Sequence, residues 1–259
     1  MLALPPNQVH LWLVFGDEPP SQTRLAEYRR LMTEDERRQE QRFRLANDRH
    51  RYLITRALVR TVLSRYSAQR PDYWRFDTNA FGRPELLNGV DVTSTISFNL
   101  SHTNGLILCA ISLSQAVGVD VEDTRRKPAS LEIAERFFSP DEVNAIRAFP
   151  PGLQSERFFY YWTLKESYVK ARGIGLSMSL NQFSFSFPGE RCIRMAFHAN
   201  LDDFQTGSQY WLLQPSSEHI AAVCVQRMDG ASQQLVMRKV TPLDIEEPFN
   251  CDILRESCN

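Results

Sequence analysis

The segment 117–122, Val-Gly-Val-Asp-Val-Glu, alternates apolar and acidic residues. Alternation with a period of two predicts a β-strand, because successive side chains of a strand point to opposite faces. The three valines then share one face, while Asp120 and Glu122 share the other. An all-valine face predicts burial against a core, so we expect the acidic face at the surface or along a cleft.

A third acid, Glu166, lies in the segment 162–170, Trp-Thr-Leu-Lys-Glu-Ser-Tyr-Val-Lys. In a helix, Trp162, Glu166 and Lys170 follow one another at i, i+4 and i+8 on one face, and Lys165 lies next to that line. This face suits a pocket for a charged aromatic ligand. An exposed stripe with the common i,i+4 ion pair between Glu166 and Lys170 is the alternative.

The three acids raise the possibility of a metal site. Carboxylate oxygens are the ligands that Mg²⁺ prefers, and protein-bound Mg²⁺ usually also contacts phosphate. Taken alone, a pair of acids such as Asp120 and Glu122 equally fits an ordinary polar strand face. Only a meeting of these two with Glu166 in three dimensions would predict a magnesium–phosphate site.

Composition narrows the class of protein. A chain of 259 residues, 42% hydrophobic and 24% charged, is typical of a globular protein with one large domain or two ordinary ones. The net charge of −1 conceals a basic stretch, 24–70, with thirteen arginines against six acidic residues. That stretch would attract phosphates. Its arginines are dispersed and lack interleaved aromatic residues, so we do not expect nucleic-acid binding.

The cysteine spacing, the first residues and the apolar runs indicate the expected compartment. The five cysteines form no close Cys-x-x-Cys pair, so neither a disulfide framework nor a zinc site is expected, and a reducing cytoplasm is the default compartment. The first residues do not resemble a signal peptide. No apolar run approaches the roughly 20 residues that span a bilayer, so we expect no membrane association.

The chain divides into two halves, each with a prominent helix followed by several strands. Helices are predicted over 21–66 and 154–172, and a capping box starts a further helix at Ser139. Strands are predicted over 9–15, 96–100, 106–113, 117–122, 183–187, 210–213 and 220–225. The pattern predicts an α+β protein with an N-terminal lobe over 1–115 and a C-terminal lobe over 116–226. Residues 227–259 lack periodicity and are predicted to be a tail or a short final element.

Other polar residues are weaker indicators. Ser101 and His102 are adjacent, but neighbours in an extended chain face opposite ways and no Gly-x-Ser-x-Gly elbow exists, which disfavours a hydrolase. A contact of His102 with phosphate or hydroxyl, or a structural role at a turn, fits better. Arg42, Arg51 and Arg83 are candidate phosphate contacts, because guanidinium binds phosphate in a bidentate manner. There is no P-loop and no Gly-x-Gly-x-x-Gly motif.

The order and spacing of five segments resemble the Sfp-type phosphopantetheinyl transferases over residues 9–226. The segments are Phe81-Gly82-Arg83-Pro84, Phe98-Asn99-Leu100-Ser101-His102, Gly118-Val119-Asp120-Val121-Glu122, Arg136-Phe137-Phe138-Ser139 and Trp162-Thr163-Leu164-Lys165-Glu166-Ser167-Tyr168-Val169-Lys170. The third and fifth segments are the signature of the family. Each is weak alone, but the two together at this separation are specific.

The resemblance implies a monomer of two similar α/β lobes in a pseudo-two-fold arrangement, with the site in the cleft between them. It implies transfer of the 4′-phosphopantetheine arm of coenzyme A (CoA) to a serine of an apo acyl or peptidyl carrier protein, with Mg²⁺ and release of 3′,5′-ADP. The carriers would belong to fatty-acid, polyketide or non-ribosomal peptide synthases. The loop after Glu122 and the segment after Gly173 would face the carrier.

Residue roles follow from the same resemblance. The Mg²⁺ ligands would be Asp120, Glu122 and Glu166. Lys165 and Lys170 would face the phosphates of CoA. The residues that help hold its adenosine-phosphate end would be Arg51, Arg83, Ser101 and His102. Glu166 is the candidate base for the carrier serine, and Lys170 would stabilise charge that develops in the reaction.

One departure and two alternatives accompany the resemblance. Some relatives have lysines before the pair that corresponds to Arg42-Phe43, whereas this chain has Glu-Arg-Arg-Gln-Glu-Gln over 36–41, so a contact with the CoA 3′-phosphate there must come from an arginine. A protein of the same fold that binds CoA or a carrier without catalysis is one alternative. A magnesium-dependent enzyme that acts on another phosphate ligand, such as a nucleotide pyrophosphatase, is the other.

Overall fold

The computed structural model describes residues 1–16, 20–88, 95–125, 131–175, 178–198, 207–227 and 230–258. The N-terminal half contains three helices, α1 to α3, and five strands, β1 to β5. In chain order these are β1 (Gln8–Phe15), α1 (Gln22–Leu31), α2 (Glu34–Arg42), α3 (Ala46–Arg65), β2 (Phe76–Thr78), β3 (Pro84–Leu86), β4 (Ile96–Thr103) and β5 (Leu106–Leu113). The stretch predicted as one helical region, 21–66, is therefore three helices. Ser21 and Thr33 cap the starts of α1 and α2, and α3 begins after Leu45 without a side-chain cap.

The second half begins with β6 (Val117–Asp123), which confirms the predicted strand. The elements that follow are α4 (Leu131–Phe137), α5 (Pro140–Arg147), α6 (Pro151–Arg172), β7 (Phe183–Ser186), β8 (Cys192–Phe197), β9 (Ser208–Ser216), β10 (His219–Gln226), β11 (Gln234–Val240), β12 (Glu246–Pro248) and β13 (Asp252–Ser257). The predicted capping box is present: Ser139 accepts from the Glu142 backbone while Glu142 accepts from the Ser139 backbone. Gly173 ends α6 in a left-handed conformation, with φ of 65°.

Two large sheets carry most of the strands. A five-stranded sheet has the order β12-β11-β1-β5-β4, and a six-stranded sheet has the order β6-β10-β9-β13-β8-β7. Strands β2 and β3 form a separate hairpin. The connection between β5 and β6, residues 114–116, leads from the first sheet to the second.

Residues 230–258 of the predicted tail or short final element form strands of both large sheets. Strand β11 pairs in parallel with β1 in the first sheet, and β13 lies between β9 and β8 in the second. Met237 and Val240 of β11 are buried. These strands show no clear alternation of apolar and polar residues in the sequence. Each is stabilised by backbone pairing with strands distant in sequence. The segment therefore belongs to both sheets, and the prediction of a separate tail was wrong.

The two sheets pack face to face through a shared apolar core. Val9, Leu11 and Leu13 of β1 contribute from the first sheet, and the three valines of β6 contribute from the second. The other face of each sheet is covered by helices, α1 and α3 on the first and α4 to α6 on the second. The layers therefore run helix, sheet, sheet, helix. This arrangement confirms the α+β expectation and explains why the valine face of β6 is buried.

The helix and the strand that carry the acids are in close contact. A Cβ on Gly118 of β6 would overlap the Ser167 carbonyl oxygen and the Ala171 backbone nitrogen of α6. Only glycine permits this approach of two backbones. The close packing places the acidic face of β6 directly against the face of α6 that bears Glu166 and Lys170.

Arg60 of α3 is fully buried, and its guanidinium pairs with Glu36 at 2.6 Å. One further expectation needs correction. Cys192 and Cys258 are joined by a disulfide that links β8 to the end of β13, where no disulfide was expected. Within the described ranges, no helix is long and apolar enough to cross a membrane.

Candidate functional site

A cavity of about 410 Å³ opens between the N-terminal half of the chain and the second half, which are called the two lobes below. Its walls come from α3, from β4, from the acidic face of β6 and from the last turn of α6. Among its lining residues are Arg51, Ser101, His102, Asp120 and Lys170. A second cavity of about 260 Å³ shares Lys170 with the first and is bounded by the turn 81–84 and by Glu166. All of the predicted site residues except Lys165 thus line one of these two cavities, and the first has a size typical of ligand pockets.

Side chains of β4 reach across to β6 beneath this cleft. The side-chain oxygens of Asn99 and Thr103 accept hydrogen bonds from the backbone nitrogens of Val119 and Asp123, at 2.9 and 3.2 Å. Between them, the Ser101 hydroxyl donates to Asp120 at 3.1 Å. Strands β4 and β6 are edge strands of their two sheets, so the backbone groups on that edge of β6 have no neighbouring strand to pair with. Alternate side chains of β4 accept hydrogen bonds from these backbone groups instead.

Asp120, Ser101 and Lys170 form the centre of the site. The Lys170 ammonium donates to Asp120 Oδ1 at 2.7 Å and to Ser101 Oγ at 2.9 Å. The other carboxylate oxygen, Asp120 Oδ2, is buried, and no described residue donates a hydrogen bond to it. An unpaired buried carboxylate oxygen is costly, so this atom suits a cation.

Glu166 lies close enough to the other two acids to respond to their charge. Burial raises the pKa of Glu166 to about 7, the negative charges of Asp120 and Glu122 act in the same direction, and Lys170 opposes them. Over the part of the chain that the structure describes, no three His, Cys, Asp or Glu side chains are arranged to hold a metal ion. The acids are near one another, but Asp120 Oδ1 is bound to Lys170 and Glu122 to Trp162.

Arg51 and His102 line the cavity on the N-terminal side. Arg51 pairs with Asp48 one turn earlier in α3 and is about a third exposed. His102 is exposed at the cavity mouth. The loss of water around its ring, followed by the positive charge of Arg51, nevertheless lowers the pKa of His102 below its usual value. A neutral imidazole beside a guanidinium can contact an anion without adding a second charge.

Arg83 stands at the lobe interface. Its two terminal nitrogens donate to four backbone carbonyls, those of Phe98, Val117, Lys170 and Ala171, at 3.0 to 3.3 Å. The guanidinium thus joins β4, the start of β6 and the end of α6. Its stem lines the second cavity. Arg83 was predicted to hold the adenosine-phosphate end of CoA, but these four bonds engage its terminal nitrogens in linking the lobes.

Lys165 does not face the cleft. Its side chain is fully buried on the opposite side of α6, where its ammonium pairs with Glu142 at 2.8 Å. It also donates to the carbonyl oxygens of Leu180 and Phe183 at 2.7 and 2.6 Å. One residue is a 100° step around a helix, so Lys165 and Glu166 point in different directions. The prediction that Lys165 contacts phosphate is therefore corrected.

The helix α2 bears the arginines considered for the 3′-phosphate. Arg37 donates to the Arg29 carbonyl, Arg38 lies near Glu34 and Asp35, and Arg42 donates to Gln39. These arginines are exposed on α2 and do not line the central cavity.

Several cavity residues were not predicted. Phe43, Tyr52 and Arg56 line the cavity. Tyr52 and Arg56 follow Arg51 on α3, and Phe43, just after α2, contacts the Tyr52 ring with centroids 5.3 Å apart. The roles of Asn99 and Thr103 could have been found from strand alternation, since they lie two residues on either side of Ser101. The bond from Trp162 to Glu122 could not have been found this way, because it joins residues 40 positions apart.

The segments expected to face a carrier protein are only partly described. The loop after Glu122 is described as far as residue 125, and positions 126–130 lie outside the described residues. The segment after Gly173 is described except for positions 176 and 177.

Comparison with known families gives two matches that together span most of the chain. The model described as "4'-phosphopantetheinyl transferase superfamily" matches residues 116–224. The model described as "4'-phosphopantetheinyl transferase, N-terminal" matches residues 18–114. The boundary between the two matches coincides with the passage from β5 to β6.

Individual relatives are similar over long stretches. 4'-Phosphopantetheinyl transferase HetI of Nostoc sp. is 35% identical over 176 residues, which cover 68% of this chain and 73% of the relative. 4'-Phosphopantetheinyl transferase Sfp of Bacillus subtilis is 37% identical over 172 residues, or 66% of this chain and 73% of the relative. A phosphopantetheinyl transferase of Thraustochytrium sp. is 31% identical over 260 residues, covering 94% of this chain and 88% of the relative.

Proposed function

The chain belongs to the 4'-phosphopantetheinyl transferase superfamily, and we propose that it moves the 4′-phosphopantetheine arm of CoA onto a serine of an apo carrier protein. The observation that supports this reaction most directly is the cluster of Lys170, Asp120 and Ser101 in the cleft between the lobes. This cluster brings together one residue from each of three motifs: Lys170 from 162–170, Asp120 from 118–122 and Ser101 from 98–102. The monomeric state implied by the resemblance and the cytoplasmic location expected from the cysteine pattern are part of the same proposal.

The chemistry of the oxygen donors suits Mg²⁺, although the described side chains are not arranged to hold a metal ion. Asp120 presents a buried oxygen to which no described residue donates, and the pKa of Glu166 is raised first by burial and then by the charges of Asp120 and Glu122. A divalent cation would pair with the Asp120 oxygen and offset the negative charge of the neighbouring carboxylates. We therefore propose Asp120, Glu122 and Glu166 as its ligands. When bound, Mg²⁺ would neutralise charge on the CoA pyrophosphate.

The side chains would divide the remaining work. Arg51 and His102 would hold the phosphates of CoA from the N-terminal lobe. The carrier serine oxygen forms a bond to the β-phosphorus, the bond from that phosphorus to 3′,5′-ADP breaks, and the serine proton passes to Glu166. Glu166 is the candidate base because its side chain lines the cavity beside the proposed metal site. Lys170 would stabilise the charge that develops on the phosphoryl oxygens.

The direct test is to incubate the protein with CoA, Mg²⁺ and a panel of apo carrier domains, and to weigh the carriers by mass spectrometry. We expect a gain of one phosphopantetheine on at least one carrier, and release of 3′,5′-ADP in equal amount. No gain on any carrier would contradict the proposal. Hydrolysis of CoA without a carrier would instead support the pyrophosphatase alternative, and binding without turnover would support an inactive CoA-binding protein.

The base assignment has its own test. Glu166→Gln keeps the shape of the side chain and removes the base, so we expect kcat to fall by about 100-fold or more at saturating Mg²⁺. Glu156→Gln, on the same helix α6 but outside both cavities, is the matched control and should keep normal turnover. Normal turnover of the Glu166 variant would overturn the assignment.

A further inference from the structure

The indole of Trp162 makes a polar contact that packing does not require. Trp162 lies one turn before Glu166 on α6, and its Nε1–H donates to Glu122 Oε1 at 3.1 Å. The ring is half-buried among phenyl groups: it stacks on Phe158, with centroids 5.7 Å apart and planes 17° apart, and meets Phe137 edge-on at 6.2 Å. A phenylalanine at position 162 would keep an aromatic ring in this cluster, although a smaller one. The indole N–H is the one polar group that tryptophan adds here.

The contact bears on the direction in which the Glu122 carboxylate faces. Glu122 is at the exposed end of the acidic face of β6, and its side chain is only partly buried. A glutamate has three rotatable bonds, so its carboxylate is not directed by the strand alone. A hydrogen bond to a ring that is itself held by aromatic packing restricts those rotations. Hydrogen bonds to metal-binding carboxylates commonly set both their orientation and the affinity of the site.

We propose that Trp162 is a positioning residue: its indole N–H orients the Glu122 carboxylate for metal binding in the cleft. This inference rests on the proposed function, because it assigns Glu122 to the Mg²⁺ site. It adds a role for the first residue of the helix motif, which sequence reasoning had placed in a ligand pocket. It also explains why the aromatic cluster of the C-terminal lobe extends to the edge of the site.

The test compares two variants that each lose an indole hydrogen bond. Trp162→Phe keeps the aromatic packing and removes the donor to Glu122. Trp74→Phe is the matched control, because Trp74 Nε1 donates to Ser64 at 2.8 Å inside the N-terminal lobe. Calorimetric titration of each CoA-saturated protein with Mg²⁺ measures the metal affinity without turnover. Thermal unfolding of the same samples measures the loss due to packing.

We expect Trp162→Phe to bind Mg²⁺ about 10-fold more weakly, with unchanged affinity for CoA in the absence of metal. In turnover assays, the KM for Mg²⁺ should rise by a similar factor while kcat at saturating Mg²⁺ changes little. Trp74→Phe should keep wild-type Mg²⁺ affinity even where its thermal stability is lower. Equal Mg²⁺ affinity of Trp162→Phe and wild-type protein would overturn the inference.

A second measurement covers a Trp162→Phe protein that fails to fold. Replacing Trp162 with 3-benzothienylalanine, a tryptophan isostere with sulfur in place of the N–H, preserves the ring volume and should give the same loss of Mg²⁺ affinity. The Trp162 indole N–H resonance should also differ between ¹⁵N-labelled wild-type protein and the ¹⁵N-labelled Glu122→Gln variant. An unmoved resonance, or an isostere with wild-type Mg²⁺ affinity, would contradict the proposal.

Failure of this inference can be told apart from failure of the proposed function. Wild-type protein that binds Mg²⁺ beside CoA and modifies a carrier, together with an unaffected Trp162 variant, refutes only the role of Trp162. Wild-type protein that binds no Mg²⁺ beside CoA refutes the metal site itself and this inference with it.

Discussion

Two lysines of α6, five residues apart, should respond in opposite ways to the same substitution. Lys165 and Lys170 both belong to the helix motif, and both were predicted from sequence to face phosphate. In the structure, Lys165 is fully buried against Glu142, whereas Lys170 is about a quarter exposed in the cleft. Replacing each with methionine, which has a similar length and no charge, separates a structural lysine from a ligand-binding one.

The expected loss for Lys165→Met follows from the burial of both partners. Removing one member of a buried ion pair typically costs about 3–5 kcal/mol, because the remaining charge is left without a partner. Here the Glu142 carboxylate would keep three donors, the Ser139 backbone, the Ser139 hydroxyl and the Phe185 backbone. These donors place the cost toward the lower end, at about 3 kcal/mol. Burial also lowers the pKa of Lys165 to about 8 against the opposing effect of Glu142, in keeping with a tightly enclosed ammonium.

Urea unfolding at pH 7 and calorimetric titration with CoA are the paired assays. We expect Lys165→Met to lose about 3 kcal/mol of unfolding free energy and to bind CoA normally while folded. Lys170→Met should lose less unfolding free energy than Lys165→Met, because Lys170 is partly exposed, and it should bind CoA more weakly, because its ammonium lies in the cleft. The double variant Lys165→Met/Glu142→Gln should be less destabilised than the sum of its single variants, since neither charge is left alone. A Lys165→Met protein with wild-type stability and weakened CoA binding would refute this reasoning.

Three other features give predictions of their own. Gly118→Ala should destabilise the protein by more than about 4 kcal/mol or prevent folding, because its Cβ would overlap the backbone of α6, whereas Gly152→Ala, with open space around the new Cβ, should fold normally. Burial, followed by the charge of Arg238, lowers the pKa of His10 to about 4, so between pH 6.5 and 4 the unfolded chain binds a proton that the folded chain does not. The contribution of neutral His10 to the unfolding free energy should therefore be fully present above about pH 6.5 and fall by roughly 3 kcal/mol toward pH 4. In urea unfolding, His10→Gln should flatten that decline. Thiol titration of the denatured, unreduced protein should count three free thiols and five after reduction, and a count of five before reduction would contradict the Cys192–Cys258 link.

Local sequence patterns predicted the elements that carry the site. The alternation over 117–122 predicts β6, because a strand buried on one face must place its apolar residues two apart. The capping box at Ser139 predicts the start of α5, and the glycine at 173 predicts the end of α6. Each of these signals depends only on residues within one or two turns of each other. They are readable in the chain because the physical cause is equally local.

What the chain does not display is which side of an element meets which neighbour. Residues 227–259 looked unstructured because their strands gain stability from backbone pairing with β1, β8 and β9, which their own side chains do not encode. Lys165 and Lys170 share a motif, yet α6 turns one into the core and the other into the cleft, and only the position of Glu142 shows which. The sequence by itself determined the identities of the reactive groups and the elements that hold them. The tertiary structure decided which of those groups meet, because contacts between residues 40 or more positions apart depend on how the two sheets and their helices pack.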